Sequence, residues 1–220
     1  MSARVAAPWP GVRLTVSTVA ASAPPGGDTA HPADQRHAYA MPPWRRAEFL
    51  AGRALLRRLL AAVAPQAADA EVVPDRRGRP ELAGWPVGVS VAHDRGVVAA
   101  AVALGRSVGV DVQQPAATPS EGMARRLLGP RRALLAAARP EVMATELAWI
   151  WTAQEACVKA AGTGIAGKPW QIDVAPYAGR GRWGRYLWVS LRGMSAVPLS
   201  CAVGPAGSAP PPDEDGSHDY

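Results

Sequence analysis

Short stretches of the chain in which apolar residues dominate or alternate with polar ones predict β-strands. Successive side chains of a strand point to opposite faces, so alternation indicates a strand with one buried face. The predicted strands are residues 12–21, 87–93, 97–103 and 109–113. Asp94, Arg95 and Gly96 separate the second strand from the third, which predicts a hairpin.

Longer stretches repeat their apolar residues every three or four positions, which predicts helices. The first is an Arg-rich helix over residues 44–63, with apolar positions Phe49, Leu50, Leu55, Leu56, Leu59 and Leu60. Two more are predicted over residues 125–139 and 145–161, with Pro140 between them. The Pro- and Gly-rich residues 22–34 predict a loop. Residues 205–220, Pro-rich and then acidic, predict a disordered tail.

Two of these elements carry side chains suited to phosphate chemistry. On the strand 109–113, Asp111 and Gln113 share the face opposite the valines. On the last helix, Glu155 and Lys159 are four residues apart and therefore lie on one face. An Asp, a Glu and a nearby Lys suit a site that holds a hard divalent cation against a phosphate. The alternative is an ordinary surface ion pair between Glu155 and Lys159.

The net charge of +6, from 24 Lys and Arg against 18 Asp and Glu, indicates an anionic partner. Nucleic acid is the general expectation for such a charge, but the chain has one Phe, four Tyr and no alternation of aromatic with basic residues. A stacking platform for bases is therefore unsupported. A coenzyme A enzyme that docks an acidic protein needs the same charge, and composition does not separate the two.

The apolar content of 48% is typical of a globular protein, and no apolar run reaches the length of a membrane helix. Two cysteines make no disulfide framework, so we expect a cytoplasmic protein. The two halves of the chain also resemble each other. Gly78-Arg79-Pro80 is matched by Gly167-Lys168-Pro169, and Val89-Ser90-Val91 by Val189-Ser190-Leu191.

Five segments, in this order, resemble the motifs of the 4'-phosphopantetheinyl transferases of the larger, Sfp-like type. They are Phe49-Leu50-Ala51-Gly52-Arg53, Gly78-Arg79-Pro80, Val89-Ser90-Val91-Ala92-His93, Gly109-Val110-Asp111-Val112-Gln113, and the helix from Trp151 to Gly162 with Glu155 and Lys159. Their order and spacing agree with the family over roughly residues 45–204.

The resemblance implies an α/β (α+β) fold of two similar halves related by a pseudo-two-fold axis, with the active site in the cleft between them. We expect an N-terminal half over residues 1–105 and a C-terminal half over residues 106–204, followed by the tail. The implied reaction moves the 4'-phosphopantetheine arm of coenzyme A to a serine of an apo acyl or peptidyl carrier protein. It depends on Mg²⁺ and releases adenosine 3',5'-bisphosphate.

The resemblance also implies the roles of the site residues. Asp111, Gln113 and Glu155 would bind the metal, and Asp111, Glu155 and Lys159 would be catalytic. Coenzyme A would be bound by Arg53, Arg79, His93 and Lys159. The chain departs from the family pattern at Gln113, where many relatives have Glu, at Ala92, where they have Ser, and at Gln154, where Lys is usual.

These departures leave an alternative, a non-catalytic relative that binds coenzyme A or an acidic partner protein. A basic nucleic-acid-binding module is the third possibility, and it is favoured by charge alone. The resemblance favours the enzyme, acting as a monomer without a nucleic acid or membrane partner.

Overall fold

The computed structural model describes residues 4–22 and 31–209 of the 220-residue chain. Its strands are β1 Arg4–Ala6, β2 Val12–Thr18, β3 Val72–Pro74, β4 Pro80–Leu82, β5 Val87–Asp94, β6 Val97–Leu104, β7 Val108–Val112, β8 Arg180–Trp183, β9 Tyr186–Ser190 and β10 Leu199–Val203. Its α-helices are α1 Val19–Ser22, α2 Pro32–Tyr39, α3 Pro43–Val63, α4 Glu121–Leu128 and α5 Pro140–Ala161. The predicted hairpin of β5 and β6 and the long helices α3 and α5 are confirmed.

Two antiparallel four-stranded sheets have related topologies. The first has the strand order β1-β2-β6-β5 and the second β7-β10-β9-β8. In each half a first strand leads into a long helix, α3 with 21 residues or α5 with 22, and then into a hairpin. In the first half the hairpin is β5–β6, and β6 also pairs with β2. In the second half the hairpin is β9–β10, and β10 also pairs with β7, so β2-β6-β5 corresponds to β7-β10-β9. The two similar halves predicted from the family resemblance are confirmed.

The chain forms four layers, because successive side chains of each strand point to opposite faces of its sheet and both faces are covered. One face of the first sheet packs on α3 through Val89, Val98 and Val102. The second sheet packs on α5 through Trp188 and Ala202. The remaining faces of the two sheets pack against each other in an apolar core that includes Leu14, Ala101, Val110, Leu199 and Cys201. Burial of this central core holds the two halves together.

β5 and β7 form the seam between the halves. Val110 donates its backbone N–H to Ser90 Oγ at 3.0 Å. Beyond the end of β7, Gln114 donates its backbone N–H to Asp94 Oδ2 at 2.6 Å. The end of the β5–β6 hairpin therefore lies against the chain that leaves β7.

Three sequence predictions require correction. Residues 32–34 begin helix α2 rather than a loop, since Pro32 occupies its first turn and His31 Nδ1 accepts from the Ala33 N–H; residues 23–30 lie outside the described part. The helix predicted over residues 125–139 is α4, followed by a 3₁₀ helix at Gly129–Leu135, because Gly129 has φ +51° and Pro130 lacks an N–H. The first strand ends at Thr18, and one helical turn follows.

The structure describes only residues 205–209 of the tail that was predicted to be disordered, and these residues are ordered. Residues 205–209 contact the segment that links the two halves, where Gly207 donates its N–H to Gly105 O at 2.8 Å and Ser208 Oγ accepts from the Ser107 N–H at 3.1 Å. Residues 210–220 lie outside the described residues. Within the described ranges, no helix combines the length and apolarity needed to cross a membrane.

Gly109 allows β7 to approach α5 closely. A Cβ at this position would lie 2.1 Å from the carbonyl oxygen of Ala156 and 2.5 Å from the backbone nitrogen of Ala160. Both are backbone atoms of a packed helix, so they cannot move aside as a side chain can. The contact between strand and helix therefore requires glycine.

We predict that Gly109→Ala lowers the free energy of unfolding by at least about 1–3 kcal/mol, the usual cost of overpacking a core. The measurement is urea or thermal unfolding followed by circular dichroism. Gly122→Ala is the control, because Gly122 lies in the exposed first turn of α4 with no atom within 4 Å of an added Cβ. An Ala at 109 with wild-type stability would contradict the close packing of β7 on α5.

Candidate active site

Asp111 and Lys159 form a partly buried ion pair between β7 and α5. Asp111 is only 7% exposed, and Lys159 Nζ donates to its Oδ1 at 2.6 Å and to Val110 O at 3.3 Å. Burial raises the pKa of Asp111, while the ammonium of Lys159 opposes that rise. The spacing on the helix predicted that Lys159 faces the site, and the structure shows which carboxylate it contacts.

Glu155 lies one turn before Lys159, and its Oε1 is buried without a hydrogen-bond partner among the described residues. Burial raises the pKa of Glu155, repulsion from Asp111 adds to the rise, and Lys159 opposes it. In the described part of the chain no ion pair joins Glu155 to Lys159, because the ammonium is directed to Asp111. The surface ion pair considered from the sequence is therefore not what the fold forms.

Gln113 continues the same face as Asp111, just beyond the end of β7. Its Nε2 donates to Asp94 Oδ2 at 3.1 Å. This bond occupies the nitrogen end of the amide and leaves Oε1 as the atom that can bind a cation.

The donor set of Asp111, Glu155 and Gln113 suits a hard cation. Two carboxylates and an amide oxygen are ligands that Mg²⁺ accepts, and the unpartnered Glu155 Oε1 is a buried acceptor that lacks a donor. No group of three or more His, Cys, Asp or Glu placed to hold a metal occurs within residues 4–22 and 31–209. The assignment of Gln113 as a third ligand stays a prediction from the sequence.

A cavity of about 340 Å³ opens beside this seam in the first half. Arg45, Phe49 and Arg53 line it at four-residue intervals on α3, and His93 at the end of β5 and His37 on α2 also line it. Its cationic and imidazole groups suit an anionic ligand.

Arg53 is held rigidly in the wall of this cavity. Its guanidinium lies 3.6 Å from Asp34 Oδ1 and 5.0 Å from the centre of the Phe49 ring. Burial lowers the pKa of Arg53, and Asp34 opposes that effect. Its Nη1 is buried without a hydrogen-bond partner among the described residues, so a donor remains for a ligand.

Models of two protein families match the chain, and their matches are adjacent. The 4'-phosphopantetheinyl transferase N-terminal domain matches residues 33–103, and the 4'-phosphopantetheinyl transferase superfamily matches residues 107–183. The chain belongs to the 4'-phosphopantetheinyl transferase family. Among curated proteins no match is found. Family membership indicates a transferase that uses coenzyme A, and the two matches follow the two structural halves.

Of the four candidate coenzyme A residues of this transferase, Lys159 contacts Asp111, and the other three differ in position. His93 and Arg53 share the cavity, and His93 Nδ1 is 3.2 Å from Glu48 Oε2. Arg79 is turned away, with its guanidinium paired to Asp75 and Glu81 and packed near Gly162 at the end of α5. Its Nε and Nη2 are engaged by these carboxylates, and Arg79 does not line the cavity.

Two departures from the family motifs have structural explanations. Ala92 is buried in the core between the sheets, whereas its neighbours Val91 and His93 line the cavity. A hydroxyl at 92 would therefore face the core. Gln154 is fully buried, and its Nε2 donates to Ile172 O at 2.8 Å, so it ties α5 to the segment before β8.

Sequence reasoning missed His37, Arg45 and Asp94. Arg45 could have been found, since Arg45, Phe49 and Arg53 share one face of a predicted helix. His37 falls within a helix that the sequence did not predict. Asp94 was assigned only to a turn, and its contact with Gln113 depends on the packing of the two halves.

We predict that Glu155→Gln raises the melting temperature near neutral pH. A raised pKa means that folding favours protonated Glu155, so ionisation destabilises the native state as pH rises above the pKa of the unfolded chain. The neutral amide removes this effect, and the gain over wild type should shrink as the pH falls and Glu155 becomes protonated.

Differential scanning fluorimetry across the pH range gives the measurement. Glu141→Gln, an exposed glutamate in the first turn of the same helix, is the control and should show no such gain. A melting temperature that falls in Glu155→Gln at every pH would mean that the carboxylate has a stabilising partner.

Proposed function

We propose that this protein transfers the 4'-phosphopantetheine arm of coenzyme A to a serine of an apo acyl or peptidyl carrier protein. The reaction is Mg²⁺-dependent and releases adenosine 3',5'-bisphosphate. One observation carries the proposal: Lys159 contacts Asp111 at 2.6 Å, and Glu155, one helical turn before Lys159, has a buried oxygen without a partner among the described residues. In a chain of this family, that arrangement suits displacement at phosphorus.

Asp111, Glu155 and Gln113 would hold Mg²⁺. When bound, the ion neutralises negative charge on the pyrophosphate of coenzyme A. The serine oxygen forms a bond to the phosphorus that carries the pantetheine arm, and the bond from that phosphorus to the bridging oxygen breaks. Glu155 accepts the serine proton, directly or through water.

Lys159 stabilises the phosphate oxygens or protonates the leaving group. Its position supports either role, because its ammonium already lies beside Asp111. The contact with Asp111 also holds the flexible lysine stem in place before substrate binds. Prior positioning of this kind reduces the entropy lost when the reactants are brought together.

The cavity of the first half would bind the 3'-phosphate of coenzyme A. His93 and Arg53 line it and supply donors, and Arg45 adds a further charge from the same helix face as Arg53. Arg79 joins them only after exchanging Asp75 and Glu81 for phosphate oxygens.

The carrier protein would dock on the second half, over α4. A groove there is lined by Met123, Leu127, Trp151, Ile165 and Trp170, and Arg126 lies 3.7 Å over the Trp170 ring. Its apolar floor and arginine rim complement an amphipathic helix with acidic residues. In this proposal α4 contributes Arg125 and Arg126 to the docking surface.

One assay distinguishes the transferase from the alternatives. The protein is incubated with coenzyme A, Mg²⁺ and an apo carrier protein, and the carrier is weighed by mass spectrometry. We expect the mass of one phosphopantetheine group to be added. Glu155→Gln should lower the rate at least about 100-fold, the usual loss when one group that stabilises a transition state is removed.

Glu141→Gln, with the same chemical change on the same helix, should keep the wild-type rate. A carrier whose mass is unchanged with the wild-type protein would favour the non-catalytic relative. Retention of more than about a tenth of the wild-type rate in Glu155→Gln would contradict its assignment.

We predict that 3'-dephospho-coenzyme A is a poorer substrate, with the loss mainly in KM, because the 3'-phosphate takes no part in the chemistry. His93→Ala should reduce the discrimination between the two substrates, since the variant has lost the contact that distinguishes them. Steady-state kinetics with both substrates provides the test. If His93→Ala slows both by the same factor, His93 is structural.

A further inference from the structure

We propose that Asp94 is a positioning residue of the metal site: it orients the amide of Gln113 with Oε1 toward the ion, and it supplies the negative charge that a glutamine at 113 lacks. This inference rests on the proposed function and deepens it. Asp94 matches none of the family motifs on which the site residues were assigned.

Hydrogen bonding fixes the orientation of the Gln113 amide. The two ends of a glutamine amide are alike in shape, and a carboxylate can only accept hydrogen bonds. Because Asp94 Oδ2 lies 3.1 Å from the side-chain nitrogen of Gln113, that nitrogen must face Asp94 and the oxygen must face away. The same Oδ2 accepts the backbone N–H of Gln114 at 2.6 Å, so the carboxylate is itself held in place.

Strand geometry places Asp94 on the side of the second half. His93 and Asp94 are the last two residues of β5, so their side chains point to opposite sides. His93 lines the cavity of the first half, and Asp94 contacts the chain that leaves β7. One strand end thus contributes to both parts of the site.

The charge of Asp94 lies one hydrogen bond from the Gln113 amide, because Asp94 Oδ2 is the acceptor for Gln113 Nε2. The Asp94 side chain is 20% exposed, and its cationic neighbour Arg95 is 3.4 Å away with a side chain 53% exposed. Solvent therefore weakens the neutralisation of Asp94 by Arg95.

A purely structural role is the competing explanation, because Asp94 also ties the β5–β6 turn to Gln114. Metal affinity separates the two explanations. Asp94→Asn keeps an acceptor oxygen for the Gln114 N–H but loses the charge, and its amide no longer fixes which end of Gln113 faces it. A structural role predicts at most a lower melting temperature with unchanged metal affinity.

The experiment titrates Mn²⁺, as a stand-in for Mg²⁺, into the full-length protein loaded with coenzyme A, and measures free Mn²⁺ by electron paramagnetic resonance. We expect Asp94→Asn to weaken Mn²⁺ binding about tenfold, as is usual when a partner of a metal ligand is removed. Asp173→Asn is the control for loss of one charge. Asp173 pairs with Arg131 at the surface, its side chain is 69% exposed, and Mn²⁺ affinity should not change.

A double-mutant cycle tests whether Asp94 acts through Gln113. In a Gln113→Ala background, Asp94→Asn should cost much less than tenfold, because the amide to be oriented is gone. An equal loss in both backgrounds would overturn the orienting role.

Moving the carboxylate from position 94 to position 113 keeps the total charge of the site. It tests whether the negative charge of Asp94 contributes to metal affinity. Asp94→Asn/Gln113→Glu should recover at least the wild-type Mn²⁺ affinity, since the new asparagine can donate to the new carboxylate. If the exchange fails to improve on Asp94→Asn, the proposal is wrong.

The outcomes for wild type and variant distinguish this inference from the proposed function. Wild-type protein that binds Mn²⁺, with Asp94→Asn unchanged, overturns only the role of Asp94. Wild-type protein that fails to bind Mn²⁺ overturns the metal site and the role of Asp94 together.

Discussion

The close contact between β7 and α5 at Gly109 is the constraint on which the candidate site depends. With only a hydrogen at position 109, the strand can lie directly on the helix backbone near Ala156 and Ala160. Two residues further along the strand, Asp111 then lies 2.6 Å from Lys159 and near Glu155. A larger residue at 109 would separate strand and helix, and the two carboxylates with them.

The buried carboxylates of the second half fall into two kinds. Glu146 accepts hydrogen bonds from Nη1 and Nη2 of Arg192, at 2.7 and 2.8 Å, and from the backbone N–H of Tyr177. These three hydrogen bonds offset the cost of removing its carboxylate from water. Glu155 has a buried oxygen without a partner among the described residues. An unsatisfied buried acceptor is costly in a purely structural role, and this contrast with Glu146 supports the proposed metal site.

Similar halves carry different contacts. In the first half Ser90 Oγ accepts the N–H of Val110 across the seam, whereas the corresponding Ser190 lies in a buried chain of hydroxyls with Ser200 and Thr152. The repeat therefore supplies the same scaffold twice, and β5 of the first half contributes Asp94, which contacts Gln113 and Gln114. Its last two residues, His93 and Asp94, face the cavity and Gln113, which couples the two parts of the site.

Strand alternation and helical spacing are local, so the sequence alone predicted the hairpin of β5 and β6, the long helices α3 and α5, and the faces that carry Asp111, Glu155 and Lys159. Repeated short segments predicted the likeness of the halves, whereas the close packing at Gly109 required the structure. Contacts between the halves required the tertiary structure, since neither spacing nor composition encodes distance across a seam. Lys159 pairs with Asp111 rather than with Glu155, Arg79 points away from the cavity, and Asp94 holds Gln113, because the packing of two sheets brings together residues far apart in the chain.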